Sequence, residues 1–220
     1  FEFGFAPQVW AQAWPAKPIR LIVNTAPGTA PDMIARVYAG PLGDALGQPV
    51  VIEYRAGAGG NIGLEAVARS APDGYTLLSS PGGPIVIGLH LYKLNIDVAK
   101  ELVPVAPTAR TTMLLVVRPN LPVRSVAELI AHGRANPGKL NFGSGGTGGG
   151  LHIAAEMLLR EAKIRATHVP YKVATQVLTD MLGGQIDFTF DTGTAVAFIK
   201  SGKLRLLAVA SATRSSIFPD

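Results

Sequence analysis

The 220-residue sequence contains no cysteine. That excludes disulfides, thiolate nucleophiles and cysteine-ligated zinc, and it names no compartment. Charge is also sparse, at 16% Asp, Glu, Lys and Arg. The 20 Lys and Arg are scattered singly and aromatic residues reach only 7%, so the basic, stacking surface of a nucleic-acid binder is missing. The net charge of +5 reads instead as a solvated basic surface that helps attract anionic solutes. No apolar run approaches the roughly 18 residues of a membrane-spanning helix.

What is present is apolar and punctuated. Hydrophobic residues make up 48%, enough for packed cores and too many for disorder. The 25 glycines and 17 prolines fall between periodic segments and mark turns. The chain opens on Phe1, and Ala11-Gln12-Ala13 offers the small residues that signal peptidase accepts. Residues 1–13 are expected to be a signal-peptide remnant or tag with cleavage before Trp14, an Ala-rich tail being the alternative.

Strands and helices alternate, which predicts an α/β protein with parallel sheets and crossover helices. Predicted strands cover Ile19 to Val23, Val50 to Tyr54 and Tyr75 to Ser79. Predicted helices run from Asp32 to Leu46, with Gly47 as the stop, and from Ile62 to Ser70. Pro81-Gly82-Gly83-Pro84 reads as a break. Leu102 to Ala106 and Met113 to Val117 read as strands crossing into a second lobe. Ser125 with Glu128 forms a capping box for a helix from Val126 to Ala135. Strands at 140–142, 167–169, 186–190 and 204–209 then alternate with helices at 152–162, 175–182 and 194–201.

The sharpest motif is the loop Gly143-Ser144-Gly145-Gly146-Thr147-Gly148-Gly149-Gly150, between a strand and a helix. Without Cβ atoms a ligand can approach backbone N–H groups, and the helix start adds unpaired donors and a partial positive charge. Together these suit an anion. Gly143-x-Gly145-x-x-Gly148 also fits the dinucleotide fingerprint, but the following strand, Thr167-His168-Val169-Pro170-Tyr171-Lys172, supplies no acid for a ribose. Loop 26–31, with Pro27, Gly28, Thr29 and Ala30, also joins a strand to a helix. Asp32 reads there more as a helix cap than as a ligand contact. Asp191 ends a strand where open α/β sheets bind ligands, or else caps the next helix. Tyr171 and Lys172 flank the same cleft, or lie on an exposed loop.

Catalytic patterns are poor. Ser144 lacks a nucleophile-elbow frame because Phe142 replaces the first glycine. His152 and Glu156 share a helix face without a further metal-spaced pair, and His90, His132 and His168 read as isolated. No carboxylate pair stands out for acid–base work.

Several segments together resemble the Bug-type receptors, the periplasmic substrate-binding proteins of tripartite tricarboxylate transport systems. They are Trp14-Pro15-x-Lys17-Pro18-Ile19-Arg20-Leu21-Ile22-Val23, Pro27-Gly28 with Asp32, and Gly57-Ala58-Gly59-Gly60-Asn61-Ile62-Gly63. Pro72-Asp73-Gly74-Tyr75-Thr76-Leu77-Leu78, Pro137-Gly138-Lys139-Leu140-Asn141-Phe142 and His168-Val169-Pro170-Tyr171-Lys172 follow, then Leu182-Gly183-Gly184-Gln185-Ile186-Asp187 and Gly202-Lys203-Leu204-Arg205. The likeness runs in order from about 14 to 220.

The resemblance implies a two-lobe periplasmic-binding-protein fold of type II, a Venus flytrap, that captures a small organic carboxylate without catalysis, cofactor or metal. It implies lobe one over 14–104, lobe two over 105–210, and a return toward lobe one over 211–220, cut short because family members continue further. The hinge candidates are 104–112 and 209–214. The implied grips are loop 24–31, the glycine loop and the strand-end acid, Asp191. The expected ligand-binding set is Pro27, Gly28, Thr29, Ala30, Ser80, Pro81, Gly82, Ser144, Gly145, Gly146, Thr147, Gly148, Gly149, Gly150, Tyr171, Asp191 and Thr192.

The family usually carries a Pro-Gly-Gly-rich first loop and small hydroxyl residues late in the second. Here Gly28-Thr29-Ala30-Pro31 and Gly149, Gly150 and Leu151 stand instead. The ligand class therefore stays open among di-, tri- and aromatic carboxylates. Expected partners are membrane transporter subunits or a membrane sensor, with the protein a periplasmic monomer that binds no nucleic acid. The alternatives are a dinucleotide-binding or hydrolytic enzyme built on loop 143–150, and a ligand-sensing partner of a membrane sensor.

Overall fold

The computed structural model describes residues 13–172 and 174–219. The expected leader therefore lies, apart from Ala13, outside the described residues. The elements are β1 (Ile19–Val23), α1 (Ala30–Leu46), β2 (Val50–Tyr54), α2 (Asn61–Ala68), β3 (Thr76–Ser79), α3 (Gly82–Val86), α4 (Gly88–Leu91) and α5 (Val98–Glu101). Then come β4 (Leu114–Val117), α6 (Val126–Ala135), β5 (Leu140–Ser144), α7 (Gly150–Ala162), β6 (Ala166–Pro170), α8 (Ala174–Leu182), β7 (Phe188–Asp191), α9 (Val196–Lys200) and β8 (Arg205–Val209).

Two sheets organise two lobes. The first lobe has three parallel strands in the order β2-β1-β3. β1 sits in the middle, and four of its five residues are buried, as a strand covered on both faces requires. The second lobe has five strands in the order β6-β5-β7-β4-β8. Its sheet is mixed, not all parallel: β5 pairs in parallel with β6 and β7, while β4 runs antiparallel to β7 and β8. The reason is connectivity. β4 enters from the first lobe at the edge where β5, β6 and β7 end, so it must run the other way.

Large apolar side chains fill both faces of this sheet. Leu115, Val117, Phe142 and Phe188 pack with α6 and α7 on one side. Leu114, Val116, Met181 and Ile186 pack with α8 and α9 on the other. At the sheet's far edge, Asp187 accepts from Arg118 Nε and from the Asn141 backbone N–H, both at 2.8 Å, tying three strands together.

Local signals explain most boundaries. Gly47 takes the left-handed conformation (φ 68°) at the end of α1 and its N–H reaches Gly43 O. Ser125 Oγ accepts from the Glu128 N–H at 3.1 Å, while the Glu128 carboxylate accepts from the Arg124 N–H at 2.7 Å, one residue beyond the usual capping-box partner.

Two further expectations fail. Residues 102–106 form no strand, because the stretch is largely exposed and finds no ladder partner among the described residues. Pro81-Gly82-Gly83-Pro84 does not merely break the chain: Pro81 precedes α3, where the fixed φ of Pro84 suits a first helical turn.

The carboxyl ends of β5, β6 and β7 and the start of β4 lie along one edge, with Ser144 opposite Pro170 and Leu114 opposite Asp191. The chain enters this lobe there at Met113, whose carbonyl accepts from the Ala210 N–H at 2.8 Å just after β8.

Candidate functional site

The glycine loop lies where sequence placed it, from the end of β5 to the start of α7. Two of its amides are held by its own side chains. The Gly146 N–H donates to Ser144 Oγ at 3.3 Å, and the Gly148 N–H donates to His152 Nδ1 at 3.2 Å. The Gly149 N–H turns back to Gly146 O. The N–H groups of Gly145, Thr147, Gly150, Leu151 and His152 have no acceptor among the described residues. Gly149 is the helix N-cap and has no side chain to cap it, so the first turn of α7 keeps its donors free. No acidic residue stands in that turn. Electrostatically this is the better of the two anion sites.

A packed floor supports the loop. Ser144 Oγ lies 2.7 Å from His168 Nε2, and the His168 ring lies 4.1 Å from His152 and 4.8 Å from Phe142, centroid to centroid. His168 is thus not isolated. Burial, with the neighbouring His152 adding to it, lowers its pKa to about 4. His152 Nδ1 accepts from the Gly148 N–H, and its Nε2 faces Glu156 at 3.6 Å.

Loop 24–31 is built differently. The buried Asp32 carboxylate accepts from the Gly28 N–H at 2.7 Å, from Tyr54 Oη at 2.7 Å and from Arg36 Nε at 2.9 Å. Burial pushes this carboxyl up, but the Gly28, Tyr54 and Arg36 bonds outweigh it and hold it below the ordinary carboxylate value. Asp32 therefore shapes the loop and occupies the Gly28 amide, but it does not cap the helix as expected: it stands in the first turn of α1, whose N-cap is Thr29, without a side-chain cap bond. Thr29 is buried, its Oγ1 bonded to Ala26 O at 2.7 Å and paired with Thr25 Oγ1. Pro27 and Gly28 are exposed, and Ala30, which opens α1, is buried.

Contact between lobes runs through the segment after β3. Asn24, at the end of β1, donates to Ser80 Oγ at 2.9 Å and to Gly60 O at 3.1 Å. Ser80 leads into Pro81 and Gly82, and a Cβ built on Gly83 would lie 3.2 Å from Gly150 N. Tyr92 Oη donates to Thr147 O at 2.8 Å. A Cβ on Gly148 would meet Leu91 Cδ1 at 2.5 Å. Gly83, Leu91 and Tyr92 thus meet Thr147, Gly148, Gly149 and Gly150, while Ser80, Pro81 and Gly82 lie just before Gly83 and form no hydrogen bond with that loop among the described residues. Loop 26–31 reaches the same place only through Asn24 and Ser80, for no hydrogen bond joins it to 143–150 among the described residues. Asn24 Oδ1 and both amide atoms of Asn61 are buried and unpaired among the described residues.

Asp191 closes its own turn. It accepts from the N–H groups of Gly193 and Ala195 at 2.7 and 2.9 Å and from the Thr194 hydroxyl, with half-buried Thr192 in the same turn. Tyr171 turns its hydroxyl to Asp180 Oδ2 at 2.5 Å, and burial with that carboxylate pushes its pKa up to about 12. Its backbone N–H bonds Ser144 O, so it braces the loop from below. Lys172 is exposed.

Sequence reasoning placed Asn24 only as the start of loop 24–31, and it missed Leu91, Tyr92, Met113 and the Ser144–His168–His152 floor. Asn24, a polar residue at the end of an apolar strand, was the one visible signal.

Two concavities lie away from the loop. One of about 350 Å³ is lined by Lys17, Arg20, Asp73 and Tyr75 among others, and one of about 320 Å³ by residues between Val209 and Phe218.

Comparison with known proteins places this geometry. The family described as tripartite tricarboxylate transporter family receptor matches residues 34–220. Protein BugT of Bordetella pertussis is 41% identical over 98% of this chain and 67% of its own length. A solved periplasmic transporter is 37% identical with a TM-score of 0.87, covering 93% of this chain and 69% of that one. An R. palustris protein solved with adipate is 34% identical, also at 0.87, covering 91% and 68%. The chain thus spans about two thirds of the length of the relatives it matches, 67% and 65% for the first two.

Proposed function

This chain belongs to the tripartite tricarboxylate transporter receptor family, and from that premise we propose that it captures a small organic carboxylate between its lobes for uptake. Solved neighbours include a periplasmic transporter and the periplasmic binding protein BugD, and we place this chain in the periplasm with them. The adipate held by the R. palustris neighbour supports a carboxylate as the ligand class here. Membrane transporter subunits are the partners that would take the solute onward.

The observation that carries the reading is the division of labour in the glycine loop. Gly146 and Gly148 are bonded inward to Ser144 and His152, while Gly145, Thr147 and the first turn of α7 keep unpaired N–H groups. Such donors on a preorganised loop bind an anion without a cationic side chain. Closure of the first lobe, through Gly83, Leu91 and Tyr92, removes water and strengthens those bonds. Asp191 and Tyr171 support the turn and the loop in this mechanism instead of reading the far end of the ligand.

Thermal unfolding in the presence of a panel of mono-, di- and tricarboxylates tests it. A ligand that binds only the folded state at 100 times its Kd adds about 2.7 kcal/mol, a clear rise in Tm. At least one acid should give a saturable rise. A flat response to every acid would contradict the proposal.

A further inference from the structure

Most glycines at the cleft are required by backbone or by sterics. Gly28, Gly146 and Gly148 have φ of 80°, 125° and 79°, where other residues are strained. Gly83 is held by the 3.2 Å approach of Gly150 N. Three others are under no such demand. A Cβ on Gly82 would meet nothing within 4 Å, one on Gly149 only Gly146 O at 3.4 Å, and one on Gly150 only the flexible Met113 Cε at 3.4 Å. These are ordinary contacts, and none of the three has a positive φ.

The three are neighbours in space. A Cβ on Gly83, next to Gly82, would lie 3.5 Å from Gly149 Cα. Apolar side chains stand beside this stretch, Met113 against Gly150 and Leu91 against Gly148, the residue before Gly149, while the one atom facing Gly149 is the Gly146 carbonyl oxygen. Among the described residues no Lys or Arg forms a hydrogen bond or ion pair with the loop. The open room therefore adjoins the free amides, with Met113 and Leu91 beside it and no Lys or Arg bonded to the loop among the described residues.

We propose that Gly82, Gly149 and Gly150 are specificity-determining positions that admit a bulky apolar group attached close to the carboxylate, so that the fitting class is an arylcarboxylate ahead of a linear dicarboxylate. This rests on the glycine loop being the carboxylate site. An aromatic ring fills the room that three absent side chains leave, while its acid group reaches the amides. A second carboxylate in that room would lose its hydration without a partner.

The test is titration calorimetry of the chain with benzoate and with succinate, repeated on Gly150→Val and Gly150→Ala. Benzoate should bind at least tenfold more tightly than succinate. Gly150→Val should remove most of that preference by weakening benzoate far more than succinate, with the unliganded Tm little changed. A merely structural glycine would move Tm and leave the ratio alone. Succinate binding as tightly as benzoate, or Gly150→Val and Gly150→Ala both keeping the full preference, overturns the proposal and leaves the carboxylate reading standing. Failure of both acids, and of the wider carboxylate panel, overturns the reading beneath it as well.

Discussion

Tyr92, at the end of α4 in the first lobe, donates its hydroxyl proton to the backbone carbonyl of Thr147, in the glycine loop of the second, at 2.8 Å. The same ring packs near Gly59, where a Cβ would come within 3.2 Å of it. One side chain thus links both halves of the cleft. Tyr92→Phe keeps the ring and removes the bond, whose net worth is about 1 kcal/mol. Carboxylate affinity should fall roughly fivefold by calorimetry, while Tm without ligand changes little. Unchanged affinity would show that the bond takes no part in closure.

The Leu91–Gly148 contact invites a double-mutant cycle. Gly148→Ala forces a left-handed conformation on a residue with a Cβ, at roughly 1–2 kcal/mol, and drives that Cβ into Leu91 Cδ1. Denaturant unfolding should show Gly148→Ala costing less in a Leu91→Ala background than alone. Strict additivity would mean the two residues do not meet.

Asp32 is predicted to matter for folding. Asp32→Asn leaves the Gly28 N–H, Tyr54 and Arg36 facing a neutral amide, and the loss of charge-assisted bonds at a buried site should cost about 1–3 kcal/mol. Because its folded pKa is depressed, the carboxylate's contribution is present above the unfolded value and disappears as pH falls through the folded one. The wild type and Asp32→Asn should therefore converge in stability at strongly acid pH. Urea unfolding at pH 7 and near pH 2 checks both points.

His168 makes stability depend on pH over a milder range. Its folded pKa of about 4 lies below the ordinary value of 6.5, so the folded state favours the neutral ring. Above 6.5 that preference has no cost. Between 6.5 and 4 the unfolded chain takes up a proton that the folded one resists, and stability falls; below 4 this effect levels off. Tm measured across pH 7.5 to 4 should decline, and His168→Phe should flatten the decline. An equal slope in the variant would assign it to other groups.

The sequence carried the alternation of strands and helices because burial and capping are local. The apolar run of β1, Gly47 after α1 and Ser125 before α6 all sit where they were expected. The glycine loop was visible for the same reason. Direction was not: nothing in Leu114 to Val117 says that β4 runs antiparallel, since that follows from where the chain arrives. The strand expected at 102–106 failed because apolar content alone cannot supply a ladder partner. The floor of the site was hidden because His152 and His168 lie on different elements, α7 and β6, and meet only when β5 and β6 pair. For Asp191 and Tyr171 the residue type was right for a site, but their bonds to Gly193, Ala195 and Asp180 could be read only in three dimensions.

Backbone amide NMR during titration with benzoate goes to the heart of the account, since each N–H reports its own acceptor. The account predicts saturable shifts at Gly145, Thr147, Gly150 and Leu151, larger than those at the already bonded Gly146 and Gly148. Shifts confined to other parts of the chain, with those four amides unmoved while benzoate binds, would contradict it.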